Sequence, residues 1–222
     1  MSLTLLQLNT LFRQETDDQS APYLWSDAEV TDYANDAQNE ACRRARLIRD
    51  SATAAVCQYA VAINNPVIAL DLRVISVRRV KLASRSQPLT RRYLADMDAL
   101  TPGWEALTGP VTDYVADYQT QAIRLFRTPT ATDTLNLTVS RLPLADLAAN
   151  GDVPEINPAY HRSLRFWMLY RAYSKRDAET NDPQRAKAAL AMFEAEFGPR
   201  SPAFEEEWAR EQYGMDGADG SY

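Results

Sequence analysis

One histidine, two cysteines and seven glycines stand in 222 residues, and each scarcity removes a class of chemistry. Cys42 and Cys57 are too few for a disulfide framework and lie in no CxxC or Cys/His cluster. They read as buried or free thiols of a reducing compartment. His161, with no Cys or His partner, cannot build a zinc site of the usual kind, and its place in a helix first turn reads as a surface or interface position. Glycines are too sparse for phosphate-cradling loops, and GxGxxG, GxxxxGK, GxSxG and HExxH are missing. Acid and amide groups interrupt every apolar run well before membrane-spanning length. The N-terminus MSLTLLQLNTLFRQ lacks a basic n-region and a small-residue cleavage site. The expectation is a protein without a membrane segment, made in the cytoplasm and used there or packed into something assembled there.

The composition, 45% hydrophobic and 24% charged, is that of an ordinary globular chain able to bury a core. A net charge of −6 argues against a dedicated nucleic-acid binder, whose affinity would come from neutralising phosphates. It leaves room for a local basic face.

Residues 3–14 carry Leu3, Leu6, Leu8, Leu11 and Phe12 at mostly helical spacing, and TDDQSAP then breaks the pattern. The next helix has the firmest start in the chain. Ser26 and Glu29 form a capping box, with Trp25 and Val30 placed for a hydrophobic staple. Val30, Tyr33, Ala34, Ala37, Ala41, Ala45 and Ile48 continue as an apolar stripe whose alanines let another helix approach. Asp27 and Glu29 open this helix, and Arg43, Arg44, Arg46 and Arg49 crowd its last two turns. Both charge blocks suit the helix dipole, and the arginines also offer a face to an acidic partner.

From Ala54 to Leu142 the period changes to two. VCQYAVAI (56–63) reads as a strand ended by Asn64-Asn65-Pro66. VIALDLRVISVRRVKLA (67–83) is rich in β-branched residues. Its inward parity passes from Ile68, Leu70, Leu72 and Val74 to Ile75 and Val77, which predicts a bulge near Val74–Ile75. Arg73, Arg78, Arg79 and Lys81 point outward. Residues 84–112 are irregular, anchored by Leu94, Leu100, Trp104 and Leu107. Residues 113–129 and 134–143 read as strands joined by a TPTATD hairpin loop.

Helices return after Pro154. Asn157-Pro158 and Asp182-Pro183 are both cap-plus-proline starts. The first carries Tyr160, Leu164, Trp167, Met168 and Tyr170, and the second Ala186, Leu190, Phe193 and Phe197 up to Gly198. Ser201-Pro202 begins a short acidic helix with Phe204 and Trp208 on one side, and GMDGADGSY is a flexible tail. The fold class expected is α+β and mainly helical: a discontinuous helix bundle (1–52 with 155–213), an inserted β-rich domain (53–154) and the tail (214–222).

The carboxylate pairs Asp96/Asp98 and Glu194/Glu196 and the run Glu205–Glu207 could serve hydrolysis or a divalent cation, but acids at such spacing on helices read first as solvated faces. No catalytic, cofactor or metal residue is assigned. The aromatics read as core first and interface second.

WSDAEVTDYANDAQNEACRRA resembles the second helix of tailed-bacteriophage head-to-tail adaptor (connector) proteins. That family carries a W-S/T-D-x-E-L-x-x-Y/W-x-N-x-A-x-x-E run, matched here by Trp25, Asp27, Glu29, Tyr33, Asn35, Ala37 and Glu40; Val30 replaces its usual leucine. MDALTPGW, Pro110 with Tyr114, IRLFRTP, TLNLTVSRLP and PEINPAYHRSLRFWMLYRAYSKRDAET follow in the family's order, so the resemblance spans roughly residues 3–213. It implies a helix bundle with a β-rich insert. It also implies a virion neck protein, not an enzyme: a ring of copies, usually dodecameric, under the portal protein, extending the DNA channel and presenting a platform to tail or neck proteins. DNA would be only non-specific passing cargo. The family's C-terminal segment often docks the portal, which here points to Phe204, Trp208 and Tyr213. Arg43, Arg44, Arg46, Arg49, Arg78 and Arg79 are candidates for contacts between subunits. The alternatives are another neck or tail-completion (stopper) protein, a carboxylate-dependent hydrolase, and a DNA-binding regulator acting through the arginines at 43–49.

Overall fold

A computed structural model describes residues 2–116, 118–177 and 179–203. In chain order its elements are helices α1 (Leu5–Thr16) and α2 (Asp27–Ala45), strand β1 (Ile48–Asp50), the one-turn helix α3 (Ala54–Cys57), and strands β2 (Gln58–Val61), β3 (Val67–Ala69), β4 (Val74–Leu82) and β5 (Thr90–Arg92). Helix α4 (Leu94–Leu100), strands β6 (Asp113–Val115), β7 (Ala122–Phe126) and β8 (Asp133–Arg141), and helices α5 (Leu164–Tyr173) and α6 (Pro183–Phe197) follow. The fold is mixed α+β. The chain divides into two compact units, Met1–Ile48 with Leu142–Ser201, and one built on Arg49–Arg141.

In the first unit both leading helices start on capping boxes, Thr4 with Gln7 and Ser26 with Glu29. Both end on a non-glycine residue in the left-handed region, Asp17 (φ 58°) and Arg46 (φ 50°). The stripe of α2 is buried at Val30, Tyr33, Ala34, Ala37 and Ala41. It does not run to Ile48 as the periodicity suggested. Ala45 is exposed, Arg46 is the cap, and Ile48 with Arg49 already lies in β1. Helix α5 packs against α1, α2 and α6. An aromatic chain crosses this core: Phe12 meets Trp25 edge-on at 5.5 Å and Trp25 meets Tyr173 at 6.1 Å, while Trp167, Phe193 and Phe197 lie 5.0 and 4.6 Å apart in succession. The segment after Asn157 opens as a 3₁₀ turn over Pro158–Ser163 before becoming α-helical.

The second unit holds two four-stranded sheets. In one, β8 is the spine, with β4 antiparallel along one edge and β2 and β1 along the other. Leu135, Leu137 and Val139 face its core, as their alternation predicted. The other has the order β3-β7-β6-β5, antiparallel except for the β5–β6 pair. Trp104, Met97 and Val115 make a core cluster there, flanked by Leu94, Tyr118 and Phe126.

Local sequence misjudged several of these strands. TPTATD is no hairpin loop, because β7 and β8 belong to different sheets. Residues 56–63 begin as a helical turn, and 67–83 break into two strands at 70–73. The bulge near Val74 is present, and a second lies between Val77 and Arg79. Leu72 and Leu100 point to solvent, 86% and 74% exposed, and Leu107 is also exposed; a turn and a helix end put them outside the core.

Candidate functional site

The residues of the α2 motif are consumed by packing and bonding within the first unit. Trp25 and Ala37 are buried. Glu29 closes the capping box through Ser26 N (2.9 Å) and also accepts from Lys175 Nζ at 2.6 Å. The Lys175 bond, helped by the Ser26 backbone N–H, holds the Glu29 pKa down at about 2. Asn35 spans to Leu147, donating to its carbonyl (3.0 Å) and accepting from its N–H (2.7 Å). Glu40 bonds Arg44 at 2.9 Å. Asp27 joins a knot around the buried Arg13. The Arg13 guanidinium reaches Asp18 at 2.7 Å, Asp27 at 2.6 Å and the Trp25 carbonyl at 3.1 Å, and lies 3.7 Å from the centre of the Tyr23 ring.

His161 is fully buried, so the surface position expected of it is not the one observed. Nδ1 accepts from Leu3 N (3.1 Å) and Nε2 lies 2.9 Å from the Ile156 carbonyl, an arrangement satisfied by the tautomer protonated on Nε2. The ring ties the N-terminal segment to the turn before α5. Among the acid pairs, Asp98 accepts from Trp104 Nε1 at 2.9 Å and Asp96 is exposed. No group of three or more potential metal ligands occurs among the described residues.

The second unit has a buried ion pair that local sequence could not show. Asp50 and Arg141, 91 residues apart, bond at 2.7 Å. Burial alone would raise the Asp50 pKa, but bonds from Thr53, from the Ala52 N–H and from Arg141 outweigh it and hold the carboxyl well below its usual range. Cys57 lies close by, and burial, reinforced by Asp50, pushes its thiol up to about 11. Both cysteines are free and buried.

Residues 3–214 match the family model described as SU10 adaptor protein. The chain belongs to this family of phage head-to-tail adaptors. No curated protein matches the chain. A phage adaptor is a structural virion component and not a class of enzyme. No helix among the described residues is long and apolar enough to cross a membrane.

The six candidate arginines of this adaptor fall into separate settings. Arg44 is committed internally: it bonds Glu40 and the Gly198 carbonyl (3.1 Å), lies 3.6 Å from Glu194, and sits over the Trp167 and Phe193 rings. It fastens the end of α6 to α2. Arg43 and Arg46 are half-buried beside it in sequence. Arg49 is exposed on β1, Arg79 is exposed on β4, and Arg78 donates to Ser140 Oγ at 3.1 Å. Phe204, Trp208 and Tyr213 lie outside the described residues. Arg13 and Lys175, which complete the α2 motif, were not singled out from sequence; their partners are set by tertiary structure.

Proposed function

We propose that this adaptor works in the virion neck as a ring of copies, dodecameric in the family's usual form, beneath the portal protein. The ring extends the DNA channel and gives tail or neck proteins a platform. The match from α1 to beyond α6, in one family of head-to-tail adaptors, is the observation that carries the reading. On this reading the helical segments 1–52 and 155–213 form one bundle, and 53–154 is an inserted β-rich domain. The net charge of −6 suits a channel through which DNA slides without sticking.

The segment beyond α6 is proposed as the portal anchor. Phe204, Trp208 and Tyr213 are apolar groups among Glu205, Glu206, Glu207 and Glu211, a pattern that gains burial only on binding. The test is sedimentation of the chain with the portal ring of the same phage. The full chain is expected to travel with the portal as a stoichiometric second ring, and a chain ending at residue 200 is expected to stay folded and remain behind. A folded full-length chain that never joins the portal would move the assignment to a stopper or tail-completion protein.

A further inference from the structure

The outward face of the β8 sheet gathers cations and carries no carboxylate. Leu135, Leu137 and Val139 point into the core, so Thr134, Asn136 and Thr138 face the other way; Ser140 shares their parity but is itself buried, as is Ser76 opposite it. Across the ladders, Lys81 stands opposite Asn136 and Arg79 opposite Thr138 on β4, with Gln58 opposite Asn136 on β2. Regular alternation would send Arg78 to the core. The register shift between Val77 and Arg79 makes Arg78 the extra residue, and its bond to Ser140 Oγ keeps it on the outward side with Arg79. The bulge thus places two consecutive arginines on one face.

Arg79 and Gln58 are exposed, Lys81 is half-exposed, and neither Arg79 nor Lys81 forms an ion pair among the described residues. There is no acid on β2 or β4. The one acid on β8, Asp133, is bonded to Ser84 at the strand's start.

The charge of the whole chain is divided in the same sense. Residues 49–141 contain 11 Lys and Arg against 8 Asp and Glu, net +3, while all other residues carry 13 against 22, net −9. A cationic sheet face on an acidic protein is complementary to other parts of that same protein. In the first unit, a groove of about 630 Å³ between α1 and α2 is lined by Leu6, Tyr23, Thr31, Asp27 and Asp32. Its one cation, Arg13, is already held by Asp18 and Asp27, whereas Asp32 is exposed and Leu6 and Tyr23 are about half exposed. Arginine and lysine stems can cover such apolar groups while their heads meet carboxylates.

We propose that the Arg79–Lys81 face of one copy docks on the acidic α1–α2 groove of the next, with Asp32 as the leading counter-charge. This rests on the ring reading above. Two unlike surfaces meeting head-to-tail are what a closed ring requires.

The test is ring formation on the portal template, followed by sedimentation, for the wild type, Arg79→Glu/Lys81→Glu, Asp32→Arg, and the three changes together. All three positions of change are outside the buried core, so circular dichroism and melting are expected to be near wild type. Each charge-reversed surface alone is expected to lower the assembled fraction about tenfold or more, and the combination to recover most of it. Wild-type assembly by Arg79→Glu/Lys81→Glu would overturn the docking assignment and leave the ring reading standing, as would a defect that Asp32→Arg does not relieve. A wild type that forms no ring overturns both. Retention on duplex DNA that falls steeply with salt and disappears in Arg79→Glu/Lys81→Glu, with ring formation intact, would reassign the face to nucleic acid.

Discussion

Asn35, in the middle of α2, holds Leu147, 112 residues later, by a reciprocal pair of hydrogen bonds of 3.0 and 2.7 Å. The side-chain amide copies the pairing of a β-ladder, satisfying both backbone groups of a residue that is in no strand. Helix α2 is thereby joined to the segment that leads back into the helical unit. Asn35→Ala would strand both groups of a buried residue, which costs about 2 kcal/mol. For a chain of this size that lowers Tm by roughly 4–8 °C. Asn35→Asp keeps the acceptor but sets a carboxylate against the Leu147 carbonyl, so it is expected to be no milder. Thermal melts of the two variants check both statements, and an unchanged Tm in Asn35→Ala would contradict them.

Arg13 and Asp18 form an enclosed ion pair of the first unit, with side chains 10% and 3% exposed. Asp18 also accepts from the Leu24 and Trp25 N–H groups at 2.9 and 3.4 Å, so the pair shapes the loop before α2. Removing the cation leaves that carboxylate buried without its partner. Arg13→Met is expected to destabilise by about 3–5 kcal/mol. Arg13→Lys recovers only part of this, because one ammonium cannot span Asp18, Asp27 and the Trp25 carbonyl in the fixed geometry of the guanidinium. Urea unfolding midpoints give the comparison.

The local grammar of the helices was legible. Ser26, Asn157 and Asp182 all cap where they were expected to, because capping depends on three or four neighbouring residues, whereas the capping box at Thr4 was not picked out. Long-range choices were not. Glu29 announces a helix start but not Lys175, 146 residues on. The alternation in β7 and β8 marks strands yet says nothing of which sheet each joins, so adjacent strands looked like a hairpin. His161 looked peripheral, since nothing nearby shows that Leu3 and Ile156 will enclose it. The Arg78–Arg79 pair was read as pointing outward, but the bulge that makes both do so depends on pairing with β8. Asn35 and Glu40 stood out through family resemblance alone, and the structure supplies their physical reason: each is bonded to a fixed partner.

The buried thiols give a chemical check on the packing. Cys42 and Cys57 are both fully enclosed, and burial lifts the Cys57 pKa to about 11, so almost none of it is thiolate at pH 8. In native buffer an aromatic disulfide reagent is expected to label neither cysteine on the timescale of minutes, and both within seconds once the chain is unfolded in guanidinium. Rapid labelling of Cys57 in the native protein would show that the Ala54–Cys57 turn opens readily.

Acid should weaken the fold through a definite set of carboxylates. Glu29 has its pKa lowered from 4.5 to about 2 by the Lys175 bond and the capping N–H of Ser26, and Asp71 from 3.8 to about 2, chiefly by Arg73. Asp50 is lowered further by bonds that overcome its burial. A depressed folded-state pKa means that the unfolded chain takes up the proton first. The stabilisation is therefore complete above about pH 5 and lost as pH falls toward 2. Unfolding free energy measured between pH 7 and pH 2.5 should stay level to about pH 5 and then fall. In Glu29→Gln the neutral amide can no longer lose this contribution, so its stability should be lower than wild type at pH 7 and converge with it near pH 2.5. Curves that stay parallel down to pH 2.5 would mean that the Glu29–Lys175 bond contributes nothing in solution, leaving the acid limb to Asp50 and Asp71.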